Sequence, residues 1–313
     1  MGDLIFVEGV PGSGKSTTAQ FLARQLKHHG RPARWIYEEE APNPFVPEMP
    51  PDGFPTWDAF ADAHVARWLG FARAAAAAPE TVIAESFLLQ RPVFTMLRRD
   101  ADPPSVGALV HRFVDAVAPL RSRLVHLRHP DPEAAWRAIA PARGPEFMAG
   151  ALARSADWAF VQSRGLSGLD GVLAYWRAHG KLCDAIAAEL RMETITLDVA
   201  TGDWPARRGQ LCASFGVTAA EPPPPTLAEL APLTGRYGDD QREITIELDG
   251  GRLVLRGVLW ASNALLPVTN RVFDVEAWPF QVHFDDDGLS WHGPRLWWGG
   301  PSGAYKRLPS AQP

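Results

Sequence analysis

The segment Gly9-Val10-Pro11-Gly12-Ser13-Gly14-Lys15-Ser16 is rich in glycine and ends in a lysine and a hydroxyl residue. It fits the pattern GxxxxGK[ST] and lies between a short apolar run and an amphipathic stretch. Glycines let consecutive backbone N–H groups curve around a phosphate, and the helix that follows directs its positive end to the same point. Lys15 then reaches the outer phosphates and the Ser16 hydroxyl binds Mg²⁺, which predicts a site for a nucleoside triphosphate, ATP. The residues assigned to this site are Gly9, Gly12, Ser13, Gly14, Lys15, Ser16 and Thr17.

Acidic side chains follow two later apolar runs. Glu38, Glu39 and Glu40 come directly after the run at 33–37, and Glu85 ends the run at 81–85. Open α/β sheets bind ligands at the carboxyl ends of their strands, so these carboxylates are placed for a cleft. We expect Glu85 to hold Mg²⁺ together with Ser16, directly or through water. One of the three consecutive glutamates is expected to act as a general base towards a substrate hydroxyl. The sequence does not decide which of them it is, and a solvated acidic turn is the alternative.

Short apolar runs alternate with longer amphipathic stretches through the first 217 residues. This alternation is typical of a parallel sheet covered by helices. The predicted strands are 4–7, 33–37, 81–85, 124–127 and 194–197. The predicted helices are 15–28, 57–78, 106–117, 132–139, 145–162 and 168–190.

The pattern changes after residue 217. Four consecutive prolines at 222–225 indicate a stiff segment between two folded units. Apolar and polar residues then alternate on both sides of the turn at 249–251, and again around 285–288, which is typical of β-hairpins. The predicted organisation is an α/β domain over 1–217, a proline-rich linker over 218–232 and a small antiparallel β-barrel or β-sheet domain over 233–313.

Composition narrows the range of partners. The chain has 313 residues, of which 46% are hydrophobic and 21% charged, so it can bury a sizeable core. Its formal net charge of -5 disfavours nucleic acid as the main partner. The two cysteines, Cys183 and Cys212, are too distant in sequence for a CxxC site and indicate no disulfide framework. Without a signal-peptide pattern or an apolar run long enough to cross a bilayer, we expect a cytoplasmic protein that does not bind membranes.

Four features together resemble the nucleoside and nucleotide kinases of the P-loop superfamily, particularly the deoxynucleoside and thymidylate kinases. They are the phosphate loop, the acidic turn at 38–40, the strand end Glu85-Ser86, and the run 127–133 that leads to Arg137 and Arg143. The resemblance covers residues 3 to 217 and implies a P-loop kinase-like α/β fold. It also implies that a lid supplies Arg137 and Arg143 to the transferred phosphoryl group. Ser86 stands where the family has an arginine, and Pro145 interrupts the arginine-rich lid.

These observations predict a kinase that uses ATP and Mg²⁺ to phosphorylate a hydroxyl of a nucleoside, a nucleotide or another metabolite. Aromatic and apolar residues between the second and third strands could wall the acceptor pocket, with polar contacts from Gln90, Arg91 and His64, and ordinary core packing is the alternative. The aromatic and apolar residues are Phe45, Met49, Phe54 and Trp57. An antibiotic or secondary-metabolite phosphotransferase is one alternative. A P-loop ATP-binding regulator acting through a docked protein is another.

The C-terminal region resembles the small lipocalin-like β modules appended to some bacterial serine hydrolases. Residues 233–237 open it, and the turn at 249–251 follows. Docking, substrate coverage and oligomerisation are the roles open to it. Its tryptophans are expected mainly in a barrel core, with a ligand cup or a protein contact as the alternatives; they are Trp260, Trp278, Trp291, Trp297 and Trp298.

Overall fold

The computed structural model describes residues 2–50 and 53–309, except for the side chains of residues 140–142 and 145. The chain divides into two compact units. The first comprises Met1–Glu38 and Asn43–Ala219, and the second comprises Glu39–Pro42 and Ala220–Pro313. Four residues from the early part of the chain therefore belong to the unit that the C-terminal part forms.

A parallel sheet of five strands lies at the centre of the first unit, in the order β2-β3-β1-β4-β5. The strands are β1 (Asp3–Gly9), β2 (Ala33–Ile36), β3 (Thr81–Glu85), β4 (Arg121–Arg128) and β5 (Glu193–Asp198). Successive side chains of a strand point to opposite faces, and both faces of this sheet are covered by helices. Leu4 and Phe6 thus pack into one core, and Ile5 and Val7 pack into another. The predicted parallel sheet with flanking helices is confirmed.

Helices connect these strands, and one more follows the last of them. They are α1 (Lys15–His28), α2 (Trp57–Ala76), α3 (Gln90–Leu97), α4 (Pro103–Ala116), α5 (Pro132–Arg143), α6 (Pro145–Ser155), α7 (Ala159–Gln162), α8 (Gly168–Glu189) and α9 (Trp204–Ser214). The stretch predicted as one helix over 145–162 is two helices, because the Trp158 N–H bonds to the Ser155 carbonyl and the chain turns between α6 and α7. The sequence reading missed α3 and α9.

The second unit is a closed antiparallel barrel of eight strands, in which each strand pairs with the next and the last pairs with the first. The strands are β6 (Gly235–Gly238), β7 (Glu243–Asp249), β8 (Arg252–Arg256), β9 (Asn263–Pro267), β10 (Val272–Val275), β11 (Gln281–Phe284), β12 (Gly288–His292) and β13 (Gly303–Arg307). A short helix, α10 (Leu227–Leu230), and a 3₁₀ turn (Ala231–Leu233) precede them. The predicted antiparallel β domain is confirmed, and the barrel fits a lipocalin-like module.

The tryptophans of the second unit are only partly in its core. Trp278 and Trp291 are buried, as expected for a barrel filled by side chains. Trp297 is 68% exposed and Trp298 is 39% exposed, so these two differ from that expectation. Among the residues that the structure describes, no helix has the length and apolar character needed to cross a bilayer.

Candidate nucleotide and phosphoryl-transfer site

The loop between β1 and α1 has the backbone that a phosphate cradle requires. Gly12 and Gly14 both have φ of 85°, in the left-handed region that favours glycine. A Cβ atom at Gly14 would lie 2.5 Å from the Trp204 ring, so the start of α9 borders this loop. A Cβ atom at Gly12 would lie 2.5 Å from Cγ2 of Ile139 on α5. The two glycines therefore serve both the curvature of the loop and its close packing.

Lys15 is the first residue of α1 and is buried, and its Nζ donates to the Val10 carbonyl at 3.2 Å. Burial lowers the pKa of Lys15, and this effect is the largest. The negative charges of Glu38, Glu85 and Glu8 act in the opposite direction. The structure thus brings three carboxylates close to a single ammonium group.

Ser16 and Glu85 are joined by a hydrogen bond, in which the Ser16 hydroxyl donates to Glu85 Oε1 at 3.1 Å. Glu85 ends β3 and is fully buried, and its Oε2 has no hydrogen-bond partner among the residues that the structure describes. Burial, followed by the charge of Glu38, raises the pKa of Glu85 well above its ordinary value. A divalent cation would supply what the buried carboxylate lacks, so these two residues fit a Mg²⁺ site.

Glu38 follows β2 and lies close enough to both Lys15 and Glu85 for its charge to affect their pKa values. Gln90 Nε2 donates to Glu38 Oε2 at 3.2 Å, and Arg91 Nη2 donates to the Glu38 carbonyl at 3.1 Å. Both donors lie at the start of α3, so these bonds link the chain that follows β2 to the chain that follows β3. Glu38 is only half-buried, which leaves its carboxylate reachable.

Glu39 and Glu40 are placed differently, because they belong to the second unit. Trp298 Nε1 donates to Glu39 Oε2 at 2.6 Å, and Glu40 forms an antiparallel bridge with Leu296. Of the three consecutive glutamates, Glu38 is therefore the one that the structure gathers with Lys15, Ser16 and Glu85.

The two arginines that the resemblance assigns to a lid lie on α5. Arg143 is its last residue, with its guanidinium 4.9 Å from the centre of the Phe147 ring. Its positive charge contributes to the lowered pKa of Lys15, which places it near the phosphate loop. Arg137 is exposed about two turns earlier on the same helix.

An aromatic pocket adjoins Arg91 in the first unit. Its lining residues are Phe45, Val46, Phe60, His64, Trp68, Phe87, Arg91, Pro92, Thr95 and Phe113. The cavity measures about 10 Å³, which is space for about one water molecule. Of the predicted pocket walls, Phe45 is among the lining residues, whereas Met49 is 62% exposed. Burial lowers the pKa of His64 to about 4, so the ring that it presents is neutral near pH 7.

Glu8 is a buried carboxylate that the sequence analysis missed. It lies in β1, and its oxygens accept from the backbone N–H groups of Leu88 at 2.6 Å and Gln90 at 2.9 Å. Burial raises the pKa of Glu8 to about 7, although these N–H groups and the charge of Lys15 act to lower it. Glu8 thereby ties β1 to the loop that precedes α3. The sequence did contain a signal for it, because Glu8 directly follows the apolar run 4–7 and directly precedes the phosphate loop.

Comparisons with known proteins concern the fold alone. No protein-family model matches the chain, and no curated protein matches it. It is similar to the YorR protein of Bacillus subtilis, solved in complex with phosphorylated GDP, at 15% identity and a TM-score of 0.37 over 68% of this chain and 94% of that one. It is similar to the deoxyadenosine kinase of M. mycoides with bound dATP at 15% identity and a TM-score of 0.39, over 68% and 99%. It is also similar to APE1195, at 17% identity and a TM-score of 0.31, over 60% and 96%.

The strand order, the phosphate loop between β1 and α1, and the acidic strand ends are features of this chain itself. The first unit is a five-stranded parallel sheet flanked by helices, with the predicted phosphate loop between β1 and α1.

Proposed function

We propose that the chain is an ATP- and Mg²⁺-dependent phosphotransferase that phosphorylates a hydroxyl group of a small molecule. The observation that carries this proposal is the hydrogen bond from Ser16, next to Lys15 at the start of α1, to Glu85 at the end of β3. The second oxygen of Glu85 is buried and has no partner among the residues that the structure describes. Positioning and charge stabilisation supply most of the catalysis in phosphoryl transfer, so a site of this kind needs few reactive groups.

Each residue then has one task. Lys15 binds the outer phosphates, and Ser16 with Glu85 holds Mg²⁺. Glu38 accepts the proton of the acceptor hydroxyl, and Arg143 stabilises negative charge on the transferred group. Bound Mg²⁺ would neutralise charge on the phosphates and hold them in line with the acceptor.

The aromatic pocket suggests the class of acceptor. Its rings favour a flat or apolar group through stacking and apolar contact. Gln90 does not line this pocket but directly precedes Arg91, which does. Its Oε1 is buried and has no hydrogen-bond partner in the part of the chain that the structure describes, so it is available to a hydrogen-bond donor of the substrate. Since the cavity has space for about one water molecule, the lining side chains must move when an acceptor enters. A nucleoside, a nucleotide or an antibiotic with a planar ring and a hydroxyl group meets these requirements.

The test is a search for products. The purified protein is incubated with ATP, Mg²⁺ and pooled nucleosides, nucleotides and hydroxylated metabolites, and phosphorylated products are sought by mass spectrometry. Wild-type protein should form a product that Lys15→Ala and Glu38→Gln do not form. Glu189→Gln is the matched control, because Glu189 is exposed on α8.

Three outcomes are informative. A product lost in both site variants, with ATP binding retained in Glu38→Gln, supports the proposal. A product that Glu38→Gln still forms at the wild-type rate removes Glu38 as the base. ATP binding without any phosphorylated product overturns the proposal and favours a regulator that acts through a protein partner.

A further inference from the structure

The segment Glu39–Pro42 has an unusual place in the chain. It directly follows the proposed base, Glu38, yet it belongs to the second unit, whereas Glu38 belongs to the first. One peptide bond therefore separates the base from a segment that the C-terminal barrel unit holds. Any restraint on that segment is transmitted through this bond to the backbone of Glu38.

Hydrogen bonds within the second unit fix this segment. The Ala41 N–H donates to the Arg295 carbonyl at 2.8 Å, and the Trp297 N–H donates to the Glu39 carbonyl at 3.0 Å. These bonds make the segment an antiparallel partner of the stretch between β12 and β13. Glu40 is buried, as is its bridge partner Leu296.

A side-chain bond adds to the backbone pairing. Trp298 Nε1 donates to Glu39 Oε2 at 2.6 Å, and an N–H bond to a carboxylate is about twice as strong as one between neutral groups. The Trp298 ring also packs edge-on against Trp278, with ring centres 6.3 Å apart. Trp298 is thus a donor, packed against a second ring, that bonds to the residue next to the base.

Glu38 itself is held on its other side by α3, through the bonds from Gln90 and Arg91. Glu38 is thus bonded to α3 through its own atoms and joined by a peptide bond to the fixed segment Glu39–Pro42. We propose that this segment positions the base, and that Trp298 is a positioning residue that acts through Glu39. This inference rests on the proposed function, in which Glu38 is the base.

The test compares two neighbouring tryptophans. Trp298→Phe keeps an aromatic ring but removes the N–H that Glu39 accepts. Trp297→Phe is the matched control, because that side chain is 68% exposed and its backbone N–H is retained. A displacement of about 1 Å near the chemistry can cost about 10²-fold in rate. We expect Trp298→Phe to lower kcat roughly 10-fold with the KM for ATP unchanged, since it relaxes the anchor without removing the base.

Two further variants separate positioning from general destabilisation. Glu39→Ala should reproduce the loss seen in Trp298→Phe, and the two changes combined should cost no more than either alone. Glu39→Gln, which keeps an acceptor oxygen, should recover much of the rate. If Glu39→Ala kept the wild-type kcat while Trp298→Phe lost it, Trp298 would act otherwise than through Glu39, and this part of the proposal would be overturned.

Hydrogen exchange provides a measurement independent of turnover. In Trp298→Phe, the amides of the segment 38–41 should exchange faster than in wild type, whereas in Trp297→Phe they should not. If wild type forms no product, the proposed function fails, and unchanged exchange in Trp298→Phe would then refute the anchor as well. If wild type is active and Trp298→Phe matches it in both kcat and exchange, the positioning role alone is overturned.

Discussion

Glu8 provides a prediction whose size follows from the structure. Its folded-state pKa is raised from 4.5 to about 7 by burial. The folded protein therefore binds this proton more tightly than the unfolded chain does, and between these two pH values unfolding releases a proton. The contribution of Glu8 to the free energy of unfolding is therefore greatest below pH 4.5 and falls as the pH rises to about 7. At about 1.4 kcal/mol per pKa unit, the free energy of unfolding loses on the order of 3 kcal/mol across this window.

Replacing Glu8 by glutamine removes the titration and changes one hydrogen bond. Both carboxyl oxygens accept backbone N–H groups, from Leu88 and Gln90, and a protonated carboxyl can still do so. An amide has only one acceptor oxygen, so Glu8→Gln leaves one buried N–H facing its NH₂ group, at a cost of about 1–3 kcal/mol. The variant should be less stable than wild type at about pH 5, and this deficit should disappear or reverse by about pH 8.

Urea unfolding at about pH 5, 6, 7 and 8 measures this difference. Glu193→Gln is the control, since Glu193 lies exposed at the start of β5 and pairs with Arg123 at 3.0 Å. A surface pair is worth about 0–1 kcal/mol, so that variant should follow wild type closely. If Glu8→Gln and wild type kept a constant difference from pH 5 to pH 8, Glu8 would not titrate in this window and the reasoning would be refuted.

Three further predictions concern the proposed transfer. Arg143→Ala should lower kcat on the order of 10³-fold while leaving ATP binding intact, and Arg137→Ala should lower it far less; steady-state rates of the two variants compare them. Trp204→Ala should weaken ATP binding, measured by calorimetry, because the Trp204 ring packs against the phosphate loop at Gly14. Glu85→Gln should weaken Mg²⁺ affinity by about 10- to 100-fold. Rates measured as a function of the free Mg²⁺ concentration at saturating ATP test this, and an unchanged Mg²⁺ dependence would contradict it.

The fold of the first unit was largely predictable because each of its buried strands is short, apolar and followed by a helical stretch. The sequence predicted no helix over Gln90–Leu97, where α3 lies. Pro92 is the third residue of that helix, where the backbone N–H has no intrahelical partner to lose. Pro205 lies in the first turn of α9, where a missing backbone N–H likewise costs no intrahelical bond. The Asp203 side chain caps this helix by accepting from the Ala206 N–H at 3.1 Å.

The phosphate loop could be identified from sequence because its residues are contiguous. The choice among the three glutamates could not, since it depends on where residues far along the chain lie. Glu39 is engaged by Trp298, more than 250 residues later, and no local pattern encodes that contact. Nor does local sequence reveal that the segment Glu39–Pro42 belongs to the unit formed by the C-terminal part of the chain.

Hydrogen bonding distinguishes the three carboxylates around Lys15 more clearly than distance does. Glu8 has both oxygens occupied by backbone N–H groups, so it has little left to offer a ligand and serves to hold the loop before α3. Glu85 accepts from Ser16 with one oxygen and keeps the other buried and unpartnered, which suits a metal ion. Glu38 is half-buried and accepts from a side chain rather than from rigid backbone, so its carboxylate can turn towards a hydroxyl and receive a proton. What each carboxylate already binds therefore supports the structural, metal-binding and proton-accepting roles proposed for them.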